Sequence, residues 1–205
     1  VPENRIVENC VDSASVDNAF CPLVQRRADG AITQISVSPI NIGSQKAEGI
    51  DFGVQYHQPI GEVDGHLRVS GTYLIGNRQQ VISGDPTTLD IARGEIDNPK
   101  WRVNATPGIT WGQFSLDWTL RYISKSHVDV QLSDEGRSDN DVSSRLYNDL
   151  YLTMDVNRDA QFYLGINNLF DVDPPYSAET FQGTGRGALF DNIGRYIYVG
   201  VNSKF

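Results

Sequence analysis

Few residues in this chain have the type and spacing that chemistry needs. Cys10 and Cys21 enclose a short polar stretch beginning Val11-Asp12-Ser13-Ala14-Ser15. Two thiols so placed suit a local disulfide, part of a zinc site or a redox pair. Zinc would want histidine close in sequence, and none is there. A redox pair would want Cys-x-x-Cys. The acidic run Ser133-Asp134-Glu135-Gly136-Arg137-Ser138-Asp139-Asn140-Asp141 offers the oxygen atoms that calcium prefers. It lacks the Asp-x-Asp-x-Asp-Gly order and the distal Glu, so a solvated loop is expected. Thr184-Gly185-Arg186-Gly187 does not lead from a strand into a helix, as a phosphate cradle must. His57, His66 and His127 are scattered, and neither a Ser/His/Asp arrangement nor a carboxylate pair can be argued. No enzyme activity, cofactor or resident metal is expected.

The elements that position these residues follow from composition and periodicity. The chain has 205 residues and a net charge of −9. That balance argues against nucleic acid, which wants clustered Lys and Arg. Nine Tyr, eight Phe and three Trp supply ample core-forming material. No apolar run approaches the roughly 18 residues of a membrane helix. That leaves a membrane β-barrel open, because alternation spreads its apolar residues out.

Period two dominates. In 114–122, Phe114, Leu116, Trp118, Leu120 and Tyr122 oppose Ser115, Asp117, Thr119 and Arg121. The same alternation marks 50–57, 66–75, 101–111, 149–156, 161–166 and 195–205, with a further candidate at 31–42. The expectation is an all-β, antiparallel chain of about seven or eight strands. Connections alternate strictly between short and long. Those at 59–65, Gly112-Gln113 and Asn157-Arg158-Asp159 are tight, whereas roughly 77–100, 124–146 and 171–194 are long and polar. Sorting by parity is what an outer-membrane barrel does, with short periplasmic turns and long external loops.

Trp101 and Trp111 share one face of a strand. Their separation is about 33 Å along it, or about 25 Å across a membrane after the usual barrel tilt. Both are expected at the two lipid interfaces. Asp51, Arg68, Arg102, Asp117, Arg121, Asp155 and Lys204 fall on the opposite face. A charge facing lipid at mid-bilayer costs about 2–4 kcal/mol, so these are expected to face the lumen. In the last strand Ile197, Val199 and Val201 alternate with Tyr198, Gly200, Asn202 and Lys204, and the chain stops on Phe205.

At this point the residues resemble a known family. Gly49-Ile50-Asp51 opens a strand, and Gly165-Ile166-Asn167-Asn168-Leu169-Phe170-Asp171 is followed closely by Pro174-Pro175-Tyr176. A last strand led by Gly194-Arg195-Tyr196 ends in Phe205. From about Ile32 onward the chain resembles the C-terminal part of TonB-dependent receptors. The resemblance implies a 22-stranded barrel closed by an N-terminal plug. It also implies energy-coupled uptake of a scarce nutrient, such as a siderophore, vitamin or oligosaccharide, in the outer membrane of a Gram-negative bacterium. Plug and coupling segment are not among these residues, so the TonB complex would be met through sequence outside them. The opening Val1-Pro2-Glu3-Asn4-Arg5 has no initiator Met and reads as a processing boundary. Partners would be outer-membrane lipid, the small-molecule or oligosaccharide ligand, and the assembly machinery. That machinery would read Ile197, Val199, Val201 and Phe205.

Counting strands back from the C-terminus places residues 1–30 outside the membrane, in an oxidising compartment, where Cys10 and Cys21 are expected to bridge. Residues 31–205 then form the barrel strands. Tyr176, Phe181 and Phe190, in the long loops, are possible ligand contacts. The alternatives are a self-contained small passive or structural barrel, or a soluble β-sandwich binding module.

Overall fold

The computed structural model describes residues 3–12, 15, 17–37, 43–80, 86–132, 140–175 and 189–203. Two compact units are present: Val1–Ala47 with Asn77–Ile91, and Glu48–Gly76 with Ala92–Phe205. Lys204 and Phe205, Tyr176, Phe181, the 184–187 glycine stretch and positions 133–139 of the acidic run lie outside the described residues.

The first unit takes in residues on both sides of position 30. Helix α1 (Glu3–Asp12) was not expected from the sequence. Ile6 and Cys10, four residues apart, fall on one side of it, and Ile6 is fully buried. The helix packs against the short turn Cys21–Leu23, strand β1 (Val24–Arg26) and the Pro86–Thr88 turn. Cys10 and Cys21 are joined in a disulfide, with Phe20 fully buried beside it. Within the strand candidate at 31–42 the described residues form β2 (Ile32–Ile35), which pairs with β1 in a separate hairpin, and 38–42 lie outside the described residues. β2 adds nothing to the main sheet.

That sheet holds β3 (Ser44–Ile60), β4 (Val63–Gln80), β5 (Leu89–Ile91), β6 (Trp101–Trp111), β7 (Phe114–Ile123), β10 (Arg145–Asp155), β11 (Ala160–Asn167) and β12 (Tyr196–Ser203). Between them β8 (Ser126–His127) and β9 (Asp141–Val142) form a small hairpin. The long strands run in the order β12-β11-β10-β7-β6-β4-β3, with β5 on the end of β4. The strand pairs from β4 to β12 are antiparallel, as in β7 and β10, where Arg121 faces Tyr147 and Asp117 faces Tyr151. Among the described residues the sheet does not close on itself. β3 is exposed along its length, and Ile197, Val199 and Val201 of β12 are exposed too.

β3 and β4 run well beyond the 50–57 and 66–75 expected of them, to 17 and 18 residues. Alternation marks only the stretch where one face is apolar; the hydrogen-bonded ladder continues where both faces are polar. Side chains follow the pleat in two sets. Leu67, Val69, Val103, Ile109, Leu116, Trp118, Leu150 and Leu152 belong to one face. Arg68, Thr72, Asn104, Asp117, Thr119, Asp149 and Thr153 belong to the other. Aromatic contacts gather at both ends of β6 on the apolar face. Trp101 packs at 4.4 Å on Tyr73 and edge-on to Phe52, and Trp111 stacks on Phe114 at 5.6 Å. Among the described residues no helix is long and apolar enough to cross a membrane.

Fully buried side chains of the second unit collect at the end of the sheet with the long connections. Ile96, Val128, Val142 and Phe190, each from a loop or its hairpin, close on Ile123 and Tyr147 from strand ends. Backbone bonds tie the same loops: His127 N donates to Gly94 O, and Val128 N to Asn140 O.

Candidate functional site

The polar face carries two sets of charges. The lower set is built across three strands. His66 and Arg68 of β4 reach over β6 to Asp117 of β7, at 2.8 Å and 3.0 Å. They can do so because Gly108 sits between them in register; a Cβ there would strike both the His66 ring and the Asp117 carboxylate. On the flank, Thr72 donates to Asp51 at 2.6 Å, and nearer the short turns Gln161 donates to Asp155.

The upper set centres on Arg121. Its guanidinium binds Asp149 of β10 through two nitrogens, at 2.6 Å and 3.2 Å, and approaches Asp191 at 3.5 Å. It also lies 5.0 Å from the centre of the Tyr147 ring, a cation–π contact. The Tyr147 hydroxyl in turn accepts from the backbone of Asp191. One arginine thus joins two strand walls to the connection that leads into β12. Bidentate carboxylate binding is the geometry for which a guanidinium is suited.

Asp149 does a second task. It accepts from the backbone N–H of Asn168, a fully buried residue with φ of 52°. The Asn168 amide then bonds Val172 in both directions, donating to its carbonyl and accepting from its N–H. Asp171, also at positive φ, accepts from the N–H of Arg195, whose side chain reaches Leu169 O. Asn tolerates this left-handed backbone better than most residues, which explains its place here. The Asn167-Asn168-Leu169-Phe170-Asp171 segment is therefore a clasp that sets where β11 ends and β12 begins.

Beside Arg121 a cavity of about 430 Å³ gathers Asp51, Thr72, Arg102, Asn104 and Arg121 from four neighbouring strands, with Leu189 beside them. Among the described residues Arg102 has no ion-pair partner.

Residues 3–169 match the family described as TonB dependent receptor-like, beta-barrel. The chain belongs to that family. No curated protein matches it individually. A TonB-dependent receptor barrel is an outer-membrane transport element, and the antiparallel sheet with one aromatic-apolar and one polar face is what such a barrel wall requires.

Within this receptor barrel, the structure brings together Asp51, Arg102 and Arg121 around the cavity, and Arg68 with Asp117 below it. Asp155 stands apart, near the short turn after β10. Phe190 is buried in the loop cluster. Asp141 pairs with His127 and Asn140 clamps Asp129, so the described end of the acidic run is engaged within the protein. Among the described residues no group of three or more His, Cys, Asp and Glu could hold a metal.

Sequence reasoning missed Asp149, Asp191 and Tyr147, whose pairing with Arg121 spans distant segments that no local pattern relates. It also assigned no role to Tyr151, Tyr163, Tyr196 and Tyr198. Their placement on the polar face was readable from alternation alone.

Proposed function

We propose that this chain forms part of the barrel wall of an energy-coupled nutrient receptor in the outer membrane of a Gram-negative bacterium. The observation that carries the reading is the family match over 3–169 on a sheet whose faces differ in polarity. In this reading the apolar face meets lipid, with Trp101 and Trp111 at the two interfaces. Asp51, Arg68, Arg102, Asp117, Arg121, Asp155 and Lys204 face the lumen, and the disulfide-closed segment lies outside the cell. Ile197, Val199, Val201 and Phe205 serve recognition by the assembly machinery. External loops capture a small-molecule or oligosaccharide ligand. A plug and a TonB-contacting segment from sequence outside these residues gate its passage and draw on the inner membrane's energy.

Fractionating source membranes and probing with an antibody against this segment tests the reading. The expected result is a detergent-requiring outer-membrane band several times larger than 22.8 kDa. Ligand uptake by those cells should stop when the proton gradient is dissipated. A soluble band, or uptake indifferent to the gradient, would overturn the proposal.

A further inference from the structure

On the polar face of β10, β11 and β12, four tyrosines form a continuous row. Tyr151 lies 6.0 Å from Tyr163, Tyr163 lies 6.3 Å from Tyr198, and Tyr198 lies 5.8 Å from Tyr196. Two glycines shape it. Gly165 faces Tyr198 in register and Gly200 faces Tyr163, and each tyrosine ring leans across the opposing strand into the space a Cβ would fill. The rings are thereby held down over the backbone instead of standing out from it.

Chemistry around the row is specific. Among the described residues, none of the four phenolic hydroxyls has a hydrogen-bond partner within the protein. The side chains of Thr153 and Asn167, on the same face, are likewise without one. Asp149 and Asp155 lie on this face and Asp117 of β7 faces Tyr151; the arginines on this part of the face are engaged, Arg121 by Asp149 and Asp191, Arg145 by the Asp173 and Ser144 carbonyls, and Arg68 by Asp117. The row is thus an aromatic surface fringed with unpaired neutral donors and acceptors and bordered by charged groups already engaged within the protein. A negatively charged metal chelate would find no free cation there to bind. A neutral ligand with flat apolar faces and many hydroxyls meets both requirements: its C–H faces stack on the rings, and its hydroxyls bond the phenols, Thr153 and Asn167.

We propose that the Tyr151–Tyr163–Tyr198–Tyr196 row is a binding track for neutral oligosaccharide. This rests on the receptor reading above and narrows its substrate class.

The test uses the complete receptor purified in detergent. Equilibrium dialysis is run against maltohexaose, cellohexaose, xylohexaose and mannohexaose, with an anionic ferric tricatecholate as comparator. At least one hexasaccharide should bind. Tyr151→Ala and Tyr198→Ala should each weaken that binding about three- to tenfold, as expected for loss of one aromatic contact. Tyr198→Phe, which keeps the ring, should retain more than half of the affinity. Failure of all four saccharides to bind would overturn the proposal. So would saccharide binding unchanged in alanine variants that still fold, as judged by wild-type heat-modifiable mobility. Binding of the ferric chelate alone, in a receptor located in the outer membrane, would sink the saccharide track and leave the receptor reading standing. Absence from the outer membrane would instead sink the receptor reading itself.

Discussion

The long-connection end of the sheet and the strands between its ends are held in different ways. At the long-connection end, Ile96, Val128, Val142 and Phe190 pack around Tyr147 and Ile123 as in the core of a water-soluble domain. Farther along the strands most side chains on both faces are half-buried or exposed, and Leu116, Trp118 and Leu152 have no second layer to cover them. The backbone ladder and cross-strand pairs sustain that region. A wall lying between lipid and an inner compartment needs no core of its own, whereas loops that reach into water do. The difference explains how the described parts of the long connections are held at the end of the wall: they share one small core, and Arg121 fixes the stretch that leads into β12.

Five substitutions probe this contrast, the more destabilising ones in order of falling effect. Tyr147→Ala removes the centre of the loop core and a hydroxyl bonded to Asp191. It should destabilise by about 3–5 kcal/mol in urea unfolding of the detergent-solubilised receptor. An effect below about 1 kcal/mol would deny that the loops share a core. On the apolar face, Leu116→Arg should cost about 2–4 kcal/mol in a lipid bilayer, while Thr119→Arg on the polar face should cost about 0.5–1 kcal/mol, for one hydroxyl contact with Thr106. Equal costs would remove the distinction between the faces.

Arg121→Met keeps the length of the side chain but strips Asp149 and Asp191 of their partner. The expected loss is about 1–3 kcal/mol. Amide exchange should rise at 189–194 and stay unchanged along β6. If exchange does not change at 189–194, Arg121 does not hold that connection. Gly108→Ala forces His66 and Asp117 apart at a cost of about 1–2 kcal/mol. A double change with His66→Ala should recover part of that loss, because the ring is one of the two groups displaced.

Much of the sheet was legible in the sequence because period two is visible wherever one face is apolar. Trp101 to Trp111 is an example, found with its boundaries intact. Where both faces turn polar the signal vanished, so the ends of β3 and β4 were set too short. Helix α1 went unread because its apolar positions span barely one repeat, and the buried contacts that select it come from elsewhere in the chain. At the site, alternation placed Asp117 and Arg121 on the correct face of the sheet. It could not show that Arg121 meets Asp149, 28 residues away, or that His66 and Arg68 converge on Asp117 over Gly108. Such partners are set by register between strands, which one strand's pattern does not contain.

On the receptor reading, adjacent residues of a strand face lipid and water in turn. Nitroxide labels placed singly from 114 to 123 of the complete receptor in liposomes test it directly. Collision with oxygen should peak at 114, 116, 118, 120 and 122, and collision with a water-soluble nickel chelate should peak at the positions between. Accessibility without a two-residue period, or aqueous access at both sets, would contradict the account.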